Sequence, residues 1–298
     1  MEESRVLLGF DMETDIGSWT PWYRGFQPGT EKILAVLEKH DVRATFFFTA
    51  DAARKNVGVL RQVAECGHEI GAHTLFHETI GEPLFDIPGM VPVLPEEVEN
   101  RLRKNTQIIE ELCGVRPVSF RCPRLFGSTA VVNALEKLGY KADVSYPMYY
   151  FKEQLQPYHP DGGDWTRRGG MKLVEIPNFA DLSMKSSDPY GRDLDQWPLW
   201  RLEGAVALME HVRNFTACVR ARGVAPCLAF YMHPWEFHPM PEGLLHYGEG
   251  AVLPDPFIVK NCGPYAVEQF DLLLELLKES GVVFRTAREL ADETPQTE

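Results

Sequence analysis

The sequence predicts an α/β fold built on a mainly parallel sheet, open or closed into a barrel. Short apolar runs alternate with amphipathic stretches of helical length along the whole chain. Residues that ionise or bind metal stand at the end of one predicted strand after another, as the C-terminal face of such a sheet requires of a site. Seven or eight strands over 298 residues tilt the choice towards a barrel.

Each element has a local reason. Arg5–Phe10 is an apolar run leading into acids and reads as a strand. Thr30–His40 carries Ile33, Leu34 and Leu37 at helical spacing. The segment 44–49 (ATFFFT) is a buried strand, and Val57–Glu65 is a helix stopped at Cys66-Gly67. Strands follow at Glu69–His73, Val118–Arg121, Ala142–Ser145 and Leu173–Ile176. Between them, Pro95–Leu112 and Ser128–Leu138 are amphipathic, and Gly139 closes the second. One long helix is expected over Leu202–Arg222, ended by Gly223, then a buried strand over Cys227–His233. A helix over Val267–Ser280, closed by Gly281, and a strand over Val282–Arg285 complete the pattern. No linker divides the chain, so a single domain is expected. Irregular insertions near 81–95, 146–170 and 238–264 are expected to shape a pocket above the strand ends.

Charge and composition narrow the function. Lys plus Arg is 30 against 43 for Asp plus Glu, a net charge of −13. Nucleic acid and anionic membrane surfaces are disfavoured as partners, because both need clustered positive charge. No apolar run approaches the roughly 18 residues of a membrane span. The opening MEESRVLLGFDMETD has acids where an export signal carries positive charge. A cytoplasmic protein with six reduced cysteines is the expectation.

The sharpest cluster is His73 and His77 in GAHTLFHE, two imidazoles expected on one face of a helical turn and able to share a metal ion. They need an oxygen ligand, and Asp11, Glu13 and Asp15 in FDMETD supply candidates. Three acids this close repel one another unless a cation sits among them or one stays protonated. With Asp11 at the strand end, Glu13 points to the same side if the extended geometry persists. One of the two then serves as general base and the other as ligand. Arg121 ends the strand VSFR and can orient a carboxylate, and the CPRLFGS turn after it offers backbone N–H groups to an oxyanion. Cys122 in that turn reads as an inert thiol. His233, with Glu236 close by in FYMHPWEF, suits a general acid, and Asp143 in ADVSYP can bond to His233 or to Arg121. Loop aromatics including Trp19, Tyr146, Tyr149, Trp165 and Trp235 either stack on a sugar ring or belong to the core.

Taken in order, these residues resemble the polysaccharide deacetylase family (NodB-homology domain, carbohydrate esterase family 4), from about Val6 to the FRTAREL segment near the C-terminus. The strongest matches are GAHTLFHE, FDMETD and ATFFFT. The resemblance implies a distorted (β/α) barrel of about seven parallel strands holding one divalent metal, usually Zn²⁺. By residue, it implies Asp11 as the general base and His73 and His77 as metal ligands. It makes Arg121 the arginine that positions the base, the N–H of Arg124 an oxyanion donor, and Asp143 the acid that tunes the catalytic His233. Many relatives have two adjacent aspartates at the first strand, whereas here Met12 follows Asp11. Glu13 is then favoured as third ligand and Asp15 stays open. The phrase FYMHPWEF is similar to the intracellular branch, which includes deformylases of lipid-linked sugars, ring-opening amidases of the allantoinase type and cytoplasmic deacetylases.

The implied reaction is hydrolysis of a non-peptide C–N bond, foremost the N-acetyl or N-formyl amide of an amino sugar. The alternatives are ring opening of a cyclic ureide or imide and a catalytically silent glycan-binding barrel. The expected partner is a small molecule or a glycan; a homo-oligomer stays open.

Overall fold

The computed structural model describes residues 3–87 and 89–296. Strand β1 (Arg5–Met12) is buried over all but its first residue, because it lies between neighbours on both edges. After it come α1 (Phe26–His40), β2 (Thr45–Phe48), α2 (Ala50–Lys55), α3 (Val57–Glu65) and β3 (Glu69–Ala72). The middle of the chain holds α4 (Val98–Cys113), β4 (Ser119–Phe120), α5 (Thr129–Leu138), β5 (Ala142–Asp143), α6 (Met148–Phe151) and β6 (Val174–Glu175). The last third holds α7 (Leu199–Leu202), α8 (Ala205–Arg220), β7 (Cys227–Met232), the hairpin β8 (Leu245–Tyr247) and β9 (Gly250–Val252), α9 (Pro256–Val259), α10 (Pro264–Glu279), β10 (Val283–Phe284) and α11 (Ala287–Glu293). No helix of the described residues is long and apolar enough to cross a membrane.

Strands β1 to β6 pair in sequence order, all parallel, and β7 returns beside β1. A parallel bridge between Asn178 and Ala229, with the Phe179 N–H donating to the Ala229 carbonyl at 2.8 Å, joins the segment after β6 to β7. Seven parallel strands therefore curl into a distorted (β/α) barrel. One side is weak: β3 meets β4 through a single residue pair, and β4, β5 and β6 are two residues long. The short β10 pairs the start of β1.

Strand alternation sorts the core into two parts. Val6, Leu8, Phe10, Phe46 and Phe48 face the helices. Leu7, Phe47, Ala142, Val144, Val174, Ile176 and Ala229 form a smaller interior cluster, closed at its N-terminal end by Ala287 and Leu290 of α11. Buried Glu69 fastens that end, accepting from Thr45 Oγ1 at 2.9 Å and from the Arg288 N–H at 3.1 Å.

Two elements differ from the sequence expectation. The helix expected over Leu202–Arg222 begins only at Ala205, as α8, because Leu202 ends the separate α7 and Gly204 between them has φ +101°. A Cβ there would stand 2.8 Å from Gln269 Oε1, the atom that accepts the Ala205 N–H at 2.8 Å. Close approach to α10 thus overrides helical periodicity. The HTLFH segment is also not helical. It is a turn in which Thr74 and His77 take left-handed backbone angles of φ +66° and +64°, so the two rings meet through the turn and not through an i, i+4 helical face.

Candidate active site and metal centre

The site lies at the C-terminal ends of the strands. Leu7, Gly9 and Asp11 occupy the interior face of β1, alternating with the helix-facing residues, and Glu13 continues that parity just beyond the strand. His73 follows β3 directly, and the turn at Thr74 brings His77 back to it. Ligand atoms of Glu13, His73 and His77 all lie within 4.8 Å of one another. His77 Nε2 is 2.5 Å from Glu13 Oε2, and His73 Nε2 is 3.8 Å from the same oxygen. Ser18 Oγ donates to Glu13 Oε2 at 3.0 Å.

The polar accounting supports a cation here. His73 Nδ1–H donates to the Arg121 carbonyl at 2.7 Å, which leaves Nε2 turned toward Glu13. His73 Nε2 and Glu13 Oε1 are both buried and have no hydrogen-bond partner. Buried polar atoms are rarely left without a partner, and a cation between these two would satisfy both. Burial pushes the Glu13 carboxyl up, but the His77 ring N–H and the charge of His233 outweigh it and hold it well below the usual range. Burial, with Arg124 and His73 nearby, lowers His77 to about 4, so its ring is neutral at pH 7. Two imidazoles and one carboxylate around an open cavity are the donor set of a catalytic zinc site.

Two further groups flank these three. Arg121 is fully buried, and its Nη1 donates to Asp11 Oδ1 at 2.7 Å. Its other N–H groups go to the carbonyls of Val144 and Phe230 at 3.2 and 3.4 Å. No hydrogen bond among the described residues engages Asp11 Oδ2, and Asp11 lines the cavity. His233 stands just beyond β7 with Nε2 3.6 Å from Glu13 Oε1 and Nδ1 2.9 Å from Glu236 Oε1. Glu236 also accepts from Trp197 Nε1 and from Arg201 Nε, each at 3.0 Å. Burial works against charge on His233, but Glu236, Glu13 and Asp11 prevail and raise its pKa. Arg124 sits at φ +58° in the turn after β4, and its backbone N–H has no acceptor among the described residues. Its guanidinium donates to His77 Nδ1 at 3.1 Å.

Two sequence candidates lie elsewhere. Asp15 is drawn away from the ligand cluster: its carboxylate accepts from the Arg24 N–H at 2.7 Å and the Gly25 N–H at 3.2 Å, at the start of α1. It fastens the β1–α1 loop, and burial raises its pKa to about 6. Asp143 makes no contact with His233. Ala142 and Val144 face the interior, so alternation sends Asp143 to the opposite side of the sheet, beside Glu175. There it accepts from Ser145 Oγ, which in turn accepts the Cys122 N–H at 2.8 Å and so braces the turn carrying Arg124. The partner of His233 is Glu236, visible in the HPWE spacing. Arg201, 35 residues upstream of Glu236, had no sequence signal. Cys122 is buried, and burial pushes its thiol pKa well up. Tyr146, Trp165 and Trp235 belong to the core, whereas Trp19 and Tyr149 line the cavity.

Comparison with known proteins bears on this geometry. The family model described as polysaccharide deacetylase matches residues 1–142. A chitooligosaccharide deacetylase of Azorhizobium caulinodans is 31% identical over 205 residues, spanning 66% of this chain and 84% of that protein. The chain belongs to the polysaccharide deacetylase family. A peptidoglycan-N-acetylglucosamine deacetylase of Bacillus cereus is 34% identical over 121 residues, 41% of this chain. The chain spans only 36% of that relative's length, and 31% of an uncharacterised Bacillus subtilis protein, YlxY, to which it is 35% identical over 108 residues. Among solved structures, a Mycobacterium smegmatis protein assigned to the polysaccharide deacetylases superposes with a TM-score of 0.62 at 19% identity, covering 100% of this chain and 94% of that one. A carbohydrate esterase family 4 pseudoenzyme of Bacillus anthracis has a TM-score of 0.54 at 16% identity, covering 98% and 66%. Both likenesses concern the fold.

Proposed function

We propose that this polysaccharide deacetylase family member is a metal-dependent amide hydrolase that removes the acyl group from an N-acyl amino sugar. The observation that carries the reading is the unpartnered, buried pair Glu13 Oε1 and His73 Nε2 beside His77, with a candidate base and a candidate acid next to it. Glu13, His73 and His77 would hold the cation, and zinc suits their donor set. When bound, the cation supplies Lewis acidity that acidifies a water and polarises the amide carbonyl.

The chain's own residues do the rest. Arg121 holds Asp11 by one oxygen, so the other takes the proton of the attacking water. The Arg124 N–H offers a hydrogen bond to the developing oxyanion. His233, paired through Nδ1 with ionised Glu236, gives a proton from Nε2 to the departing nitrogen. The family relationship supports an N-acetyl sugar as substrate. All six cysteines are free, which supports the expected reducing, cytoplasmic setting.

The test pairs bound-metal analysis with an amine-release assay on N-acetyl sugars. His73→Ala should lose both cation and turnover while staying folded. Asp11→Asn should keep the cation and lose roughly 10²–10⁴ in kcat. Full turnover by His73→Ala after chelation would refute the metal centre, and an unchanged kcat for Asp11→Asn would refute the base. A zinc-loaded protein inert on every amide would favour the silent glycan-binding alternative.

A further inference from the structure

The floor of Glu13, His77, Asp11 and His233 opens into a cavity of about 750 Å³. Its wall comes from segments that follow six of the seven barrel strands, all but β2. Those segments touch one another around the site. The Arg124 guanidinium lies 5.3 Å from the Trp19 ring, joining the segments after β1 and β4. Phe85 meets Tyr190 at 5.5 Å and the Arg192 guanidinium at 4.9 Å, joining those after β3 and β6. Trp197 meets Phe257 at 6.4 Å and Tyr247 of the hairpin meets Trp22 at 5.8 Å, joining the segments after β6, β7 and β1, and Phe85 meets Phe126 at 5.2 Å, joining those after β3 and β4 and closing the circuit. Among the described residues the site is thus the bottom of a well. An internal residue of a polymer must leave its reacting amide in two directions, which a groove allows and a ringed well does not.

The wall is also acidic. Asp86, Asp188, Asp193, Asp195 and Asp255 line it against only Arg124 and Arg192. The acids of the floor are already engaged, Asp11 by Arg121 and Glu13 by the rings that mark the ligand centre. A phosphate or carboxylate on the substrate would therefore face a net like charge in a recess whose low-dielectric walls focus the field.

We propose that the well takes a short N-acyl amino sugar that is neutral or bears an amine, as a free sugar or the end of an oligosaccharide, and rejects polymer interiors and sugars carrying phosphate or carboxylate. The proposal rests on the amide-hydrolase reading above and names its substrate class. An inserted sugar has Trp19, Tyr149 and Trp197 as apolar faces. The segment 181–198, which supplies much of the wall, was not among the insertions expected from sequence. Of the expected 146–170 insertion, only Tyr149 reaches the cavity.

The test compares zinc-loaded protein on N-acetylglucosamine, its short β-1,4 oligomers, a soluble chitin polymer and N-acetylglucosamine 6-phosphate. The free sugar or short oligomers should exceed the polymer, per acetyl group, by about tenfold or more in kcat/KM. The phosphorylated sugar should lag the neutral one by about tenfold at low salt, and the gap should narrow in about 0.5 M NaCl, where the Debye length is a few ångströms. Phe85→Ala removes the contact between the segments after β3 and β6 and should raise the polymer rate relative to the free sugar. Binding of the same ligands, read by tryptophan quenching, should follow the same order without turnover. Rates or affinities that climb with chain length, or a phosphorylated sugar handled as well as the neutral one, would overturn the well. A protein that ranks ligands as expected yet hydrolyses none would overturn only the hydrolase reading.

Discussion

Gly9→Ala is the most demanding test of how the candidate base is held. Gly9 lies on the interior face of β1, and a Cβ added there would stand 2.5 Å from Arg121 Nη1, 2.8 Å from Cζ and closer still to Nη2. The guanidinium cannot simply swing aside, because it is fully buried, bonded to Asp11, Val144 and Phe230, and stacked 4.5 Å from the Phe47 ring. Overpacking of this kind costs about 1–3 kcal/mol. Loss of the charge-assisted bond to buried Asp11 adds about 1.5–3 kcal/mol. The sum, about 2.5–6 kcal/mol, is a large part of an ordinary domain's stability of about 5–15 kcal/mol. Thermal unfolding should show a Tm lower by roughly 4–10 °C. Gly9 touches none of the three candidate ligands, so cation affinity at permissive temperature should survive while kcat falls by roughly 10²–10⁴. A double-mutant cycle with Arg121→Ala isolates the contact, and its coupling energy should reach about 2 kcal/mol. Additive stabilities in that cycle, or native stability and turnover in Gly9→Ala, would show that the glycine is not the space Arg121 needs.

Three other perturbations follow from the same geometry. Burial raises Asp143 to about 6, while burial and the Asp143 charge hold Glu175 well above its usual range, so the pair keeps a shared proton. Folded-state pKa values above the unfolded ones mean stability present below about pH 4 and lost as pH rises through about 6. Glu175→Gln keeps the acceptor for the Ser145 and Tyr146 N–H groups and brings a donor to Asp143, so it should flatten that loss and gain about 1–3 kcal/mol at pH 8; denaturation curves parallel to the wild type across pH would refute the shared proton. Arg201→Met leaves the buried Glu236 charge without its guanidinium and frees the carbonyls of Ile258 and Lys260, so chemical denaturation should report a loss of about 3–5 kcal/mol. Arg124→Met should tighten zinc binding by titration calorimetry, because an arginine donor on His77 Nδ1 leaves the ring proton on Nε2, where a ligand needs its lone pair; weaker binding would refute that competition.

The residues of the site were legible in sequence because strand ends carry a strong local signature. An apolar run such as VLLGF stopping in acids, or CLAFYM stopping at His233, needs no partner to be recognised. Helix starts and stops were equally local: Ser128 caps α5 through the Val131 N–H at 3.3 Å, and Gly139 ends it at φ +80°. Elements without a clear apolar period, such as α2, α9 and α11, passed unseen because capping and tertiary contacts set them. Thr49, for one, caps α2 by accepting the Ala52 N–H at 3.1 Å.

By itself the sequence determined the alternation of strands and helices, the polar strand ends and the net negative charge. These depend on neighbours within a few residues, where periodicity and capping act. Only the tertiary structure decided which acid stands where. Asp11 and Asp143 both sit at the ends of their strands, yet register places one on the interior face and turns the other away, since one residue of offset reverses a strand's facing. Asp15 is claimed by two backbone N–H groups of its own loop, and Glu236 takes the place beside His233. The well above them depends on contacts between segments more than 100 residues apart in sequence, as between Phe85 and Tyr190, which no local pattern encodes.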